Sequence, residues 1–428
     1  MKYQIFKLFE ISFIIVALLP IACTRKRNSE IIYSFPESFT LTLKNNLDIA
    51  RPDALVQIDV EKIKEKHEKF NPQAMVVLSG QRELSSQYVI GKNESIAFLV
   101  NMKPDEEKTI QIRYAKSGRK RNDYKKRTHA ILSQKVGGSW DKENHVYRGG
   151  HFMNTMRTLV PAVHTDHSTY YRFEGPGWES EKVGYRLYLD HRNAIDVFGK
   201  KTTDMVLDNI GWINLEHYYE MDQWGMDILK VDDSFGLGAV GIWTEDKANK
   251  VGKVNQIICT IMADGPIYSK IAIDYNKWTV NDDICDLLSE LSIQAGSRLS
   301  KHAINISEHK DPLCISLIRH DDAEFIKSQN KAEWQYIATY GSQDITGKKL
   351  GMVVFYYTDV VKEIRPMDLD YYLIMKHEIN QAHWFFGAVW EEEKNGIKTL
   401  KGFRDYLEET QQKLNNPLLV NLRMNQMN

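Results

Sequence analysis

Cysteine is scarce in this sequence, and its scarcity excludes two kinds of cross-linked fold. The 428 residues contain only four cysteines, and none of them belongs to a Cys-x-x-Cys pair. Three cysteines remain after Cys23, and they are widely spaced at Cys259, Cys285 and Cys314. An odd number at such spacing does not predict a disulfide framework or a structural zinc site. We interpret these three as small buried residues, among which one disulfide could form, and we predict no metal site.

Net charge is almost absent as well. The formal charge is −1, which gives no reason to expect nucleic acid or an anionic membrane surface as a partner. The exception is a basic segment, residues 116–127. Its only aromatic residue is Tyr124, so it lacks the interleaved rings of a nucleic-acid site. We predict a solvated linker or an arm lying on the following domain, with a polyanion-binding patch as the alternative.

Repeats of fixed period and a convincing nucleotide motif are also lacking. The absence of a repeat argues against a propeller. The segment GLGAVG, residues 236–241, satisfies Gly-x-Gly-x-x-Gly, but Ile242 and Trp243 follow it and favour a strand. A dinucleotide site needs a helix at that point. We therefore predict no cofactor.

The sequence has one long apolar run, ISFIIVALLPIA, which ends directly before Cys23. It is about half as long as a membrane-spanning helix and follows two lysines, which is typical of a secretory signal peptide over residues 1–22. LLPIAC resembles a bacterial lipobox, and we predict that Cys23 is lipidated and that residues 23–37 form the anchor and tether. The basic residues that follow favour an outer-membrane lipoprotein facing the periplasm, with the lipid as its only membrane contact.

Strand patterns dominate the rest of the chain. Apolar residues make up 43% of the sequence, and they alternate or run in short blocks separated by turn residues. We predict an all-β protein with a small β-sandwich over 38–115 and a large one over 128–428. Helical patterns are few, and we predict helices at 60–70, 201–209, 281–288 and the C-terminal stretch 402–415.

Residues 173–193 are the densest stretch of the chain in aromatic and charged side chains. A Gly-Pro-Gly turn is followed by Trp178 and Glu179 and then by a strand. Alternate residues of a strand face the same side, so Arg186, Tyr188 and Asp190 share the face opposite an apolar one. Arginine offers a planar fork for a carboxylate, tyrosine and glutamate can transfer protons, and tryptophan can stack on a sugar. The alternative is a solvated face with a cross-strand ion pair.

Two further segments carry candidate residues. His164 and His167 flank an aspartate in HTDH, and an imidazole can act as a base near neutral pH. A polar loop or a metal site are the alternatives for this segment. Asp222 and Trp224 lie in a loop whose tryptophan between carboxylates suits a sugar subsite, or else a structural turn.

Two of these segments, YYRFEGPGWESEKVGYRLYLDHRNAIDVFGKK and EMDQWGMDILKVDDSFGLG, give the chain a family resemblance. It resembles uncharacterised secreted bacterial proteins, often lipoproteins, that are encoded in polysaccharide-utilisation loci. The resemblance implies a role in the breakdown of complex glycans that contain uronic acids. It also implies a large sandwich similar to those of galactose mutarotases and polysaccharide lyases, with the site in a concave sheet.

The leading prediction is therefore an enzyme that acts on uronate-containing oligosaccharides by elimination or hydrolysis. In elimination, Arg186 neutralises the sugar carboxylate, and Tyr188 and His167 exchange protons with the substrate. In hydrolysis, Glu179 works with Asp190 or Asp222. A non-catalytic glycan-binding protein and a mutarotase-like epimerase remain as alternatives. The predicted catalytic residues are His167, Glu179, Arg186, Tyr188 and Asp190, and the predicted substrate-binding residues are His164, Trp178, Asp222 and Trp224.

Overall fold

A computed structural model describes residues 30–91, 93–212 and 218–423. The predicted signal peptide and Cys23 lie outside these residues. The all-β prediction is confirmed, since strands supply 51% of the residues and helices 8%. Within the described residues, the chain forms two compact units, one of residues 30–124 with 418–423 and one of residues 125–417.

The first unit consists of two sheets, and its strands and helix are listed here: β1 Glu37–Lys44, β2 Arg51–Asp59, α1 Val60–Lys64, β3 Met75–Ser79, β4 Arg82–Leu84, β5 Ser86–Val89, β6 Ser95–Met102, β7 Glu107–Tyr114 and β29 Leu419–Arg423. One sheet has the order β29-β1-β7-β3-β4 and the other β2-β6-β5. Alternate residues of β1 (Phe39, Leu41 and Leu43) are fully buried in the core, as a strand with one inward face requires.

The last described residues, 418–423, belong to this first unit. Strand β29 pairs antiparallel with β1 from Thr40↔Arg423 to Lys44↔Leu419. The sequence prediction placed residues up to 428 in the second domain. The difference arises because strand pairing between segments almost 380 residues apart leaves no signal in local periodicity.

The basic segment 116–127 is divided between the units. Lys120 donates from its backbone to Gln73 O at 2.8 Å and from Nζ to Glu83 Oε1 at 2.7 Å, which holds residues up to Tyr124 on the first unit. Lys126 binds Asp264 inside the second unit at 2.8 Å. Residues of the segment are therefore bonded to the unit on each side, whereas a freely solvated linker would make no such bonds.

The second unit carries the remaining elements, listed here: β8 Thr128–Ile131, β9 Ser133–Asp141, β10 Val146–Asn154, β11 Arg157–Leu159, β12 Gly177–Ser180, β13 Val183–Leu187, β14 Ile195–Lys200, β15 Gly225–Asp227, β16 Leu237–Thr244, β17 Lys247–Lys250, β18 Gln256–Asp264, β19 Tyr268–Val280, β20 Asp283–Gln294, β21 Leu299–Ile306, β22 Leu313–Ile318, β23 Ala323–Lys327, β24 Trp334–Ser342, β25 Lys349–Tyr357, β26 Val361–Pro366, β27 Asp370–Met375, β28 Gln381–Trp390 and helix α2 Leu400–Asn415. A short 3-10 turn spans Arg172–Glu174.

These strands build four sheets. The largest has nine strands in the order β11-β18-β19-β20-β21-β28-β25-β24-β23. Two five-stranded sheets follow the orders β15-β14-β13-β12-β8 and β17-β16-β22-β27-β26, and β9 and β10 form a separate hairpin. Side chains from the three larger sheets share one apolar core, which includes Trp178, Tyr185 and Trp384.

Two of the predicted helices are wrong. Residues 283–294 form β20, in which Cys285, Leu287 and Leu291 are buried on one side, because the period of burial is two rather than 3.6. Residues 201–209 form turns. Helix α2 agrees with the prediction, and it begins where Thr399 Oγ1 accepts a hydrogen bond from Gly402 N.

Several further findings bear on the sequence predictions. GLGAVG begins one residue before β16, which is a strand and not the helix that a dinucleotide motif opens. Cys259, Cys285 and Cys314 are free and buried. Among the described residues, no helix is both long and apolar enough to span a bilayer.

Candidate active site

The candidate site begins with a strained segment between β11 and β12. His167, Thr169, Phe173 and Glu174 have φ angles of 54°, 60°, 68° and 62°. Residues with a Cβ avoid this left-handed region, and each such residue costs about 1–3 kcal/mol. The fold holds the segment in place through bonds such as Leu189 N to Glu174 O at 3.0 Å. Strain of this kind concentrates at functional sites, which directs attention to His167 and Glu174.

His167 and Asp166 form a surface pair. The Oδ1 atom of Asp166 lies 2.6 Å from Nδ1 of His167, whose side chain is 76% exposed. The backbone N–H of His167 donates to Glu174 Oε1 at 2.9 Å. A carboxylate bound to one ring nitrogen orients the imidazole and leaves the other nitrogen, Nε2, able to accept a proton.

Arg192 binds the carboxylates around this pair. Its Nη1 lies 2.6 Å from Asp166 Oδ1, the same oxygen that contacts His167. Its Nη2 lies 2.9 Å from Glu174 Oε1 and 2.6 Å from Asp190 Oδ2. The guanidinium and the imidazole are therefore neighbours on one carboxylate oxygen, and the arginine side chain stays 17% exposed.

Behind Arg192 lies a second, buried arginine cluster. The Nη2 atom of Arg186 lies 2.7 Å from Asp196 Oδ2 and 2.6 Å from Asp227 Oδ2. Nη1 donates to Tyr218 at 2.9 Å, and Nη2 to Tyr188 at 2.9 Å. The ring of Tyr188 also contacts both guanidinium groups, 4.8 Å from Arg186 and 4.0 Å from Arg192. The two arginine clusters are thus joined.

Two carboxyl groups of the buried cluster, those of Asp227 and Glu174, have pKa values shifted in opposite directions. Burial raises the pKa of Asp227 well above its usual value, although Arg186 opposes the shift. Burial also acts to raise the pKa of Glu174, but Arg186 and Arg192 outweigh it and hold that pKa at about 2. Glu174 is therefore a carboxylate at neutral pH, whereas for Asp227 burial opposes the ionised form and the contact with Arg186 favours it.

The cluster reaches the surface again at Tyr219. Its hydroxyl accepts a hydrogen bond from Arg186 Nη2 at 3.3 Å, and the residue is 38% exposed. Glu174 connects the two accessible ends, since its carboxylate accepts from the His167 backbone and lies 3.8 Å from Arg186 Nη1. The parts of the cluster that solvent reaches are thus the imidazole of His167, the carboxylate of Asp166, which is 41% exposed, and part of Tyr219.

A metal ion is one ligand that part of this site could hold. One ligand atom each from Asp166, His167 and Glu174 lies within 4.8 Å of the others. Arg192, however, donates to both carboxylates. A bound cation would have to displace the guanidinium, so the donor set fits the arginine better than a metal.

The predicted open face of Arg186, Tyr188 and Asp190 is wrong. The side chain of Arg186 is 1% exposed, and Tyr188 and Asp190 are 5% and 4% exposed. Both faces of β13 are buried, because carboxylates from β14 and β15 neutralise the polar face. Arg186 therefore cannot bind a sugar carboxylate in this arrangement.

Glu179 and Trp178 are also not at the surface. They lie in β12, between β8 and β13, and not in an open turn. Glu179 is completely buried with Lys200 and accepts from the backbone of Leu207 at 2.8 Å. Trp178 is 1% exposed, and its Nε1 donates to Ser300 at 2.9 Å. Both residues stabilise the core.

The remaining predicted residues lie around the site rather than in it. His164 is buried, and this burial lowers its pKa. Its Nδ1 lies 2.7 Å from Ser168 Oγ. Asp222 Oδ1 accepts a hydrogen bond from the backbone N–H of Gln223 at 2.6 Å. Trp224 packs partly buried against Phe198, with ring centroids 6.2 Å apart. Of the nine predicted residues, His167 is the one presented to solvent inside the cluster.

Sequence reasoning missed Glu174, Arg192 and Tyr219. Arg192 lies in the hairpin 191–193 and Glu174 directly before the Gly-Pro-Gly turn, and the sequence pattern gave neither a role, although both stand in the same dense stretch 173–193. A search for arginine and carboxylate residues close to HTDH could have found them. Tyr219 has no local signal, because only the fold brings it to Arg186.

The chain belongs to the family described as a domain of unknown function, DUF4861, which matches residues 43–420. It is similar to the uncharacterized protein P7 of Formosa agariphila, with 22% identity over 90% of this chain and 93% of that protein. Two solved structures from Enterococcus faecalis, a protein in glycosyl hydrolase family 38 and an α-mannosidase, match with TM-scores of 0.46 and 9% identity. They align over 90% and 91% of this chain, which spans about half their length, 47% and 46%.

Proposed function

We propose that this protein is a carbohydrate-active enzyme that cleaves uronate-containing oligosaccharides by elimination. The observation that carries the proposal is the exposed His167, fixed by Asp166 at 2.6 Å on a strained backbone. An exposed imidazole with a carboxylate on one nitrogen is a ready general base. The positive φ of His167 adds support, because strained backbone conformations cluster at active sites.

In the proposed reaction, Nε2 of His167 takes the proton from C5 of the uronate ring. The C–H electron pair becomes the C4–C5 double bond, the C4–O bond breaks, and the leaving oxygen takes a proton from the Tyr219 hydroxyl. The two groups are suited to these roles because they are the accessible ends of one cluster. General acid and base catalysis contribute about 10²–10⁴-fold each.

The cation that elimination requires is Arg192 in this proposal, not Arg186. Within the described residues, Nη1 of Arg192 contacts only Asp166, so one of its two N–H groups remains for a ligand. A sugar carboxylate bound there would place C5 close to His167, because both side chains bind the same oxygen of Asp166. Neutralising that carboxylate lowers the cost of removing the neighbouring proton.

Elimination is favoured over hydrolysis because of where the carboxylates lie. The side chains of Glu174, Asp190, Asp196 and Asp227 are 5% exposed or less, and each contacts an arginine. Glu179 is fully buried on Lys200. A hydrolase needs two carboxyl groups facing the glycosidic bond, and these five do not offer such a pair to a ligand. Asp166 is 41% exposed, but its Oδ1 is held by His167 and Arg192, and it has no second exposed carboxylate beside it among these residues.

The test is incubation of the soluble protein with a panel of uronate-containing oligosaccharides and their carboxyl-reduced counterparts. Elimination creates a conjugated unsaturated uronate, which is detected by ultraviolet absorbance and mass spectrometry. We expect unsaturated products from the acidic substrates only. Products that are saturated and carry added water would overturn the elimination in favour of hydrolysis, and intact substrates across the panel would contradict the proposed activity.

We further propose that the enzyme works as a lipoprotein on the periplasmic side of the outer membrane, anchored through Cys23. The proposal rests on the lipobox-like sequence LLPIAC. Cys23→Ser is expected to release the protein from the membrane fraction of expressing cells. Unchanged partitioning of the variant would contradict the anchor.

A further inference from the structure

A second surface lies beside the candidate site, on the β9–β10 hairpin. Lys135 of β9 pairs with Phe152 of β10, and the ammonium group lies 5.3 Å from the centre of the phenyl ring. Phe152 in turn meets Trp212 edge-to-face, with ring centroids 6.4 Å apart. Trp212 is 38% exposed, so part of a large indole ring is open to a ligand.

Arg172 lies beneath this indole. Its guanidinium carbon is 4.1 Å from the Trp212 ring, and the residue is fully buried. Nη1 donates to the backbone oxygen of Ile210 at 3.1 Å, but Nε and Nη2 have no hydrogen-bond partner among the described residues. The carboxylate of Asp208, which would be its natural partner, binds His129 Nε2 at 3.0 Å instead.

Neither cation of this surface forms an ion pair in the described part of the chain, although the charge of Asp208 acts on Arg172 from a distance. Burial lowers the pKa of Arg172, but only to about 10, so its charge remains at neutral pH. Burial lowers the pKa of Lys135 as well, and its ammonium donates to Thr169 Oγ1 at 3.2 Å. Buried and half-buried charges are normally paired, so an exposed tryptophan with two unpaired cations requires an explanation.

We propose that Lys135, Phe152 and Trp212 form a subsite for an acidic sugar, with Arg172 supplying a fixed positive charge from below. The indole stacks on the apolar face of the sugar ring. The ammonium binds the anionic group that the sugar carries, either a uronate carboxylate or a sulfate ester. Arg172 both holds the indole through its cation–π contact and raises the local potential.

The subsite adjoins the acid–base residues. Thr169, which contacts Lys135, follows His167 by two residues, and Arg172 precedes Glu174 by two. A sugar on Trp212 and a sugar at His167 are therefore suited to be two residues of one oligosaccharide. The inference rests on the proposed function in taking the ligand to be a glycan, and it adds a requirement for a second acidic residue in the substrate.

Binding is measured separately from turnover, so that the two proposals can fail independently. The background is His167→Ala, which keeps the subsite intact and is expected to slow cleavage about 10²–10⁴-fold. Isothermal titration calorimetry is performed with a glucuronate oligosaccharide, a sulfated neutral oligosaccharide and an uncharged oligosaccharide of equal length. The first two ligands distinguish carboxylate from sulfate as the recognised group.

Lys135→Met removes the ammonium and keeps the stem, and it is expected to weaken acidic-ligand binding about tenfold. Trp212→Ala is expected to weaken the binding of every ligand that binds, and Lys230→Met, an exposed lysine paired with Asp232, serves as the matched control. The subsite is overturned if Lys135→Met binds acidic ligands as tightly as its background, or if acidic and uncharged ligands bind equally well. Acidic binding that depends on Lys135, without turnover in the wild type, would support the subsite and contradict the proposed reaction.

Discussion

Arg186 and Asp227 form a buried ion pair, with Nη2 and Oδ2 2.6 Å apart and side chains 1% and 2% exposed. Asp196 binds the same guanidinium at 2.7 Å. These residues stand on β13, β15 and β14, neighbouring strands of one five-stranded sheet. One arginine therefore ties three strands together and supports the loop that presents His167 through Glu174.

Replacing this arginine is expected to destabilise the fold strongly. Arg186→Met leaves two buried carboxylates without their cation, and breaking a buried pair costs about 3–5 kcal/mol. Arg186→Lys keeps a charge but loses the planar fork, so it should also lower the melting temperature, though less. Calorimetry checks this, with Lys230→Met as a control that removes an exposed pair of little value. An unchanged melting temperature together with weaker sugar binding would instead assign Arg186 to the substrate.

Asp370 makes stability depend on pH. Burial raises its pKa to about 6, although Ser234, Tyr372 and Lys250 oppose the shift. The pKa of Asp370 is near 4 in the unfolded chain and near 6 in the folded protein, so between these pH values the native state binds more protons than the unfolded state. The stabilisation that this residue contributes is therefore present at low pH and is lost as pH rises. The shift corresponds to about 3 kcal/mol.

Asp370→Asn should therefore become more stable relative to the wild type as pH rises from about 4 to about 6. Thermal melts of both proteins across this pH range measure the difference between their melting temperatures. The titration of other groups affects both proteins equally and therefore cancels in this difference. A difference in melting temperature that stays constant with pH would show that Asp370 does not titrate in this range.

Lys200 is expected to be structural and without a direct part in turnover. It is fully buried with Glu179, and burial lowers its pKa against the opposing charge of that partner. Lys200→Met leaves Glu179 unpaired and should cost about 3–5 kcal/mol. The neighbouring variant Lys201→Met is the control. If Lys200→Met lost turnover at an unchanged melting temperature, Lys200 and Glu179 would belong to the active site, as the sequence predicted for Glu179.

Local alternation was sufficient to predict the fold class but not the environment of β13. The pattern correctly separates Val183, Tyr185 and Leu187 from Arg186 and Tyr188. It does not show that Asp196 and Asp227 approach from neighbouring strands and allow the polar face to be buried. Cross-strand partners decide whether a charged face is solvated or buried, and they are 10 and 41 residues away from Arg186.

The candidate site was partly within reach of the sequence. The HTDH segment directed attention to His167, because histidines and an aspartate in one loop already carry the needed chemistry. Glu174, Arg192 and Tyr219 acquire their roles only through the fold, which brings three separate loops onto one hydrogen-bonded cluster. Glu174 and Arg192 lie in the dense stretch 173–193, but their partners Asp166 and His167 lie outside it.

The central claim is that His167 acts as the base, and the most direct test compares His167→Ala with the wild type on a uronate oligosaccharide. The matched control is His377→Ala, an exposed histidine in the turn between β27 and β28. The account predicts that His167→Ala lowers kcat/KM for the unsaturated product by about 10²–10⁴-fold, while its melting temperature and that of the control stay close to the wild-type value. Turnover by His167→Ala equal to that of the wild type would contradict the account.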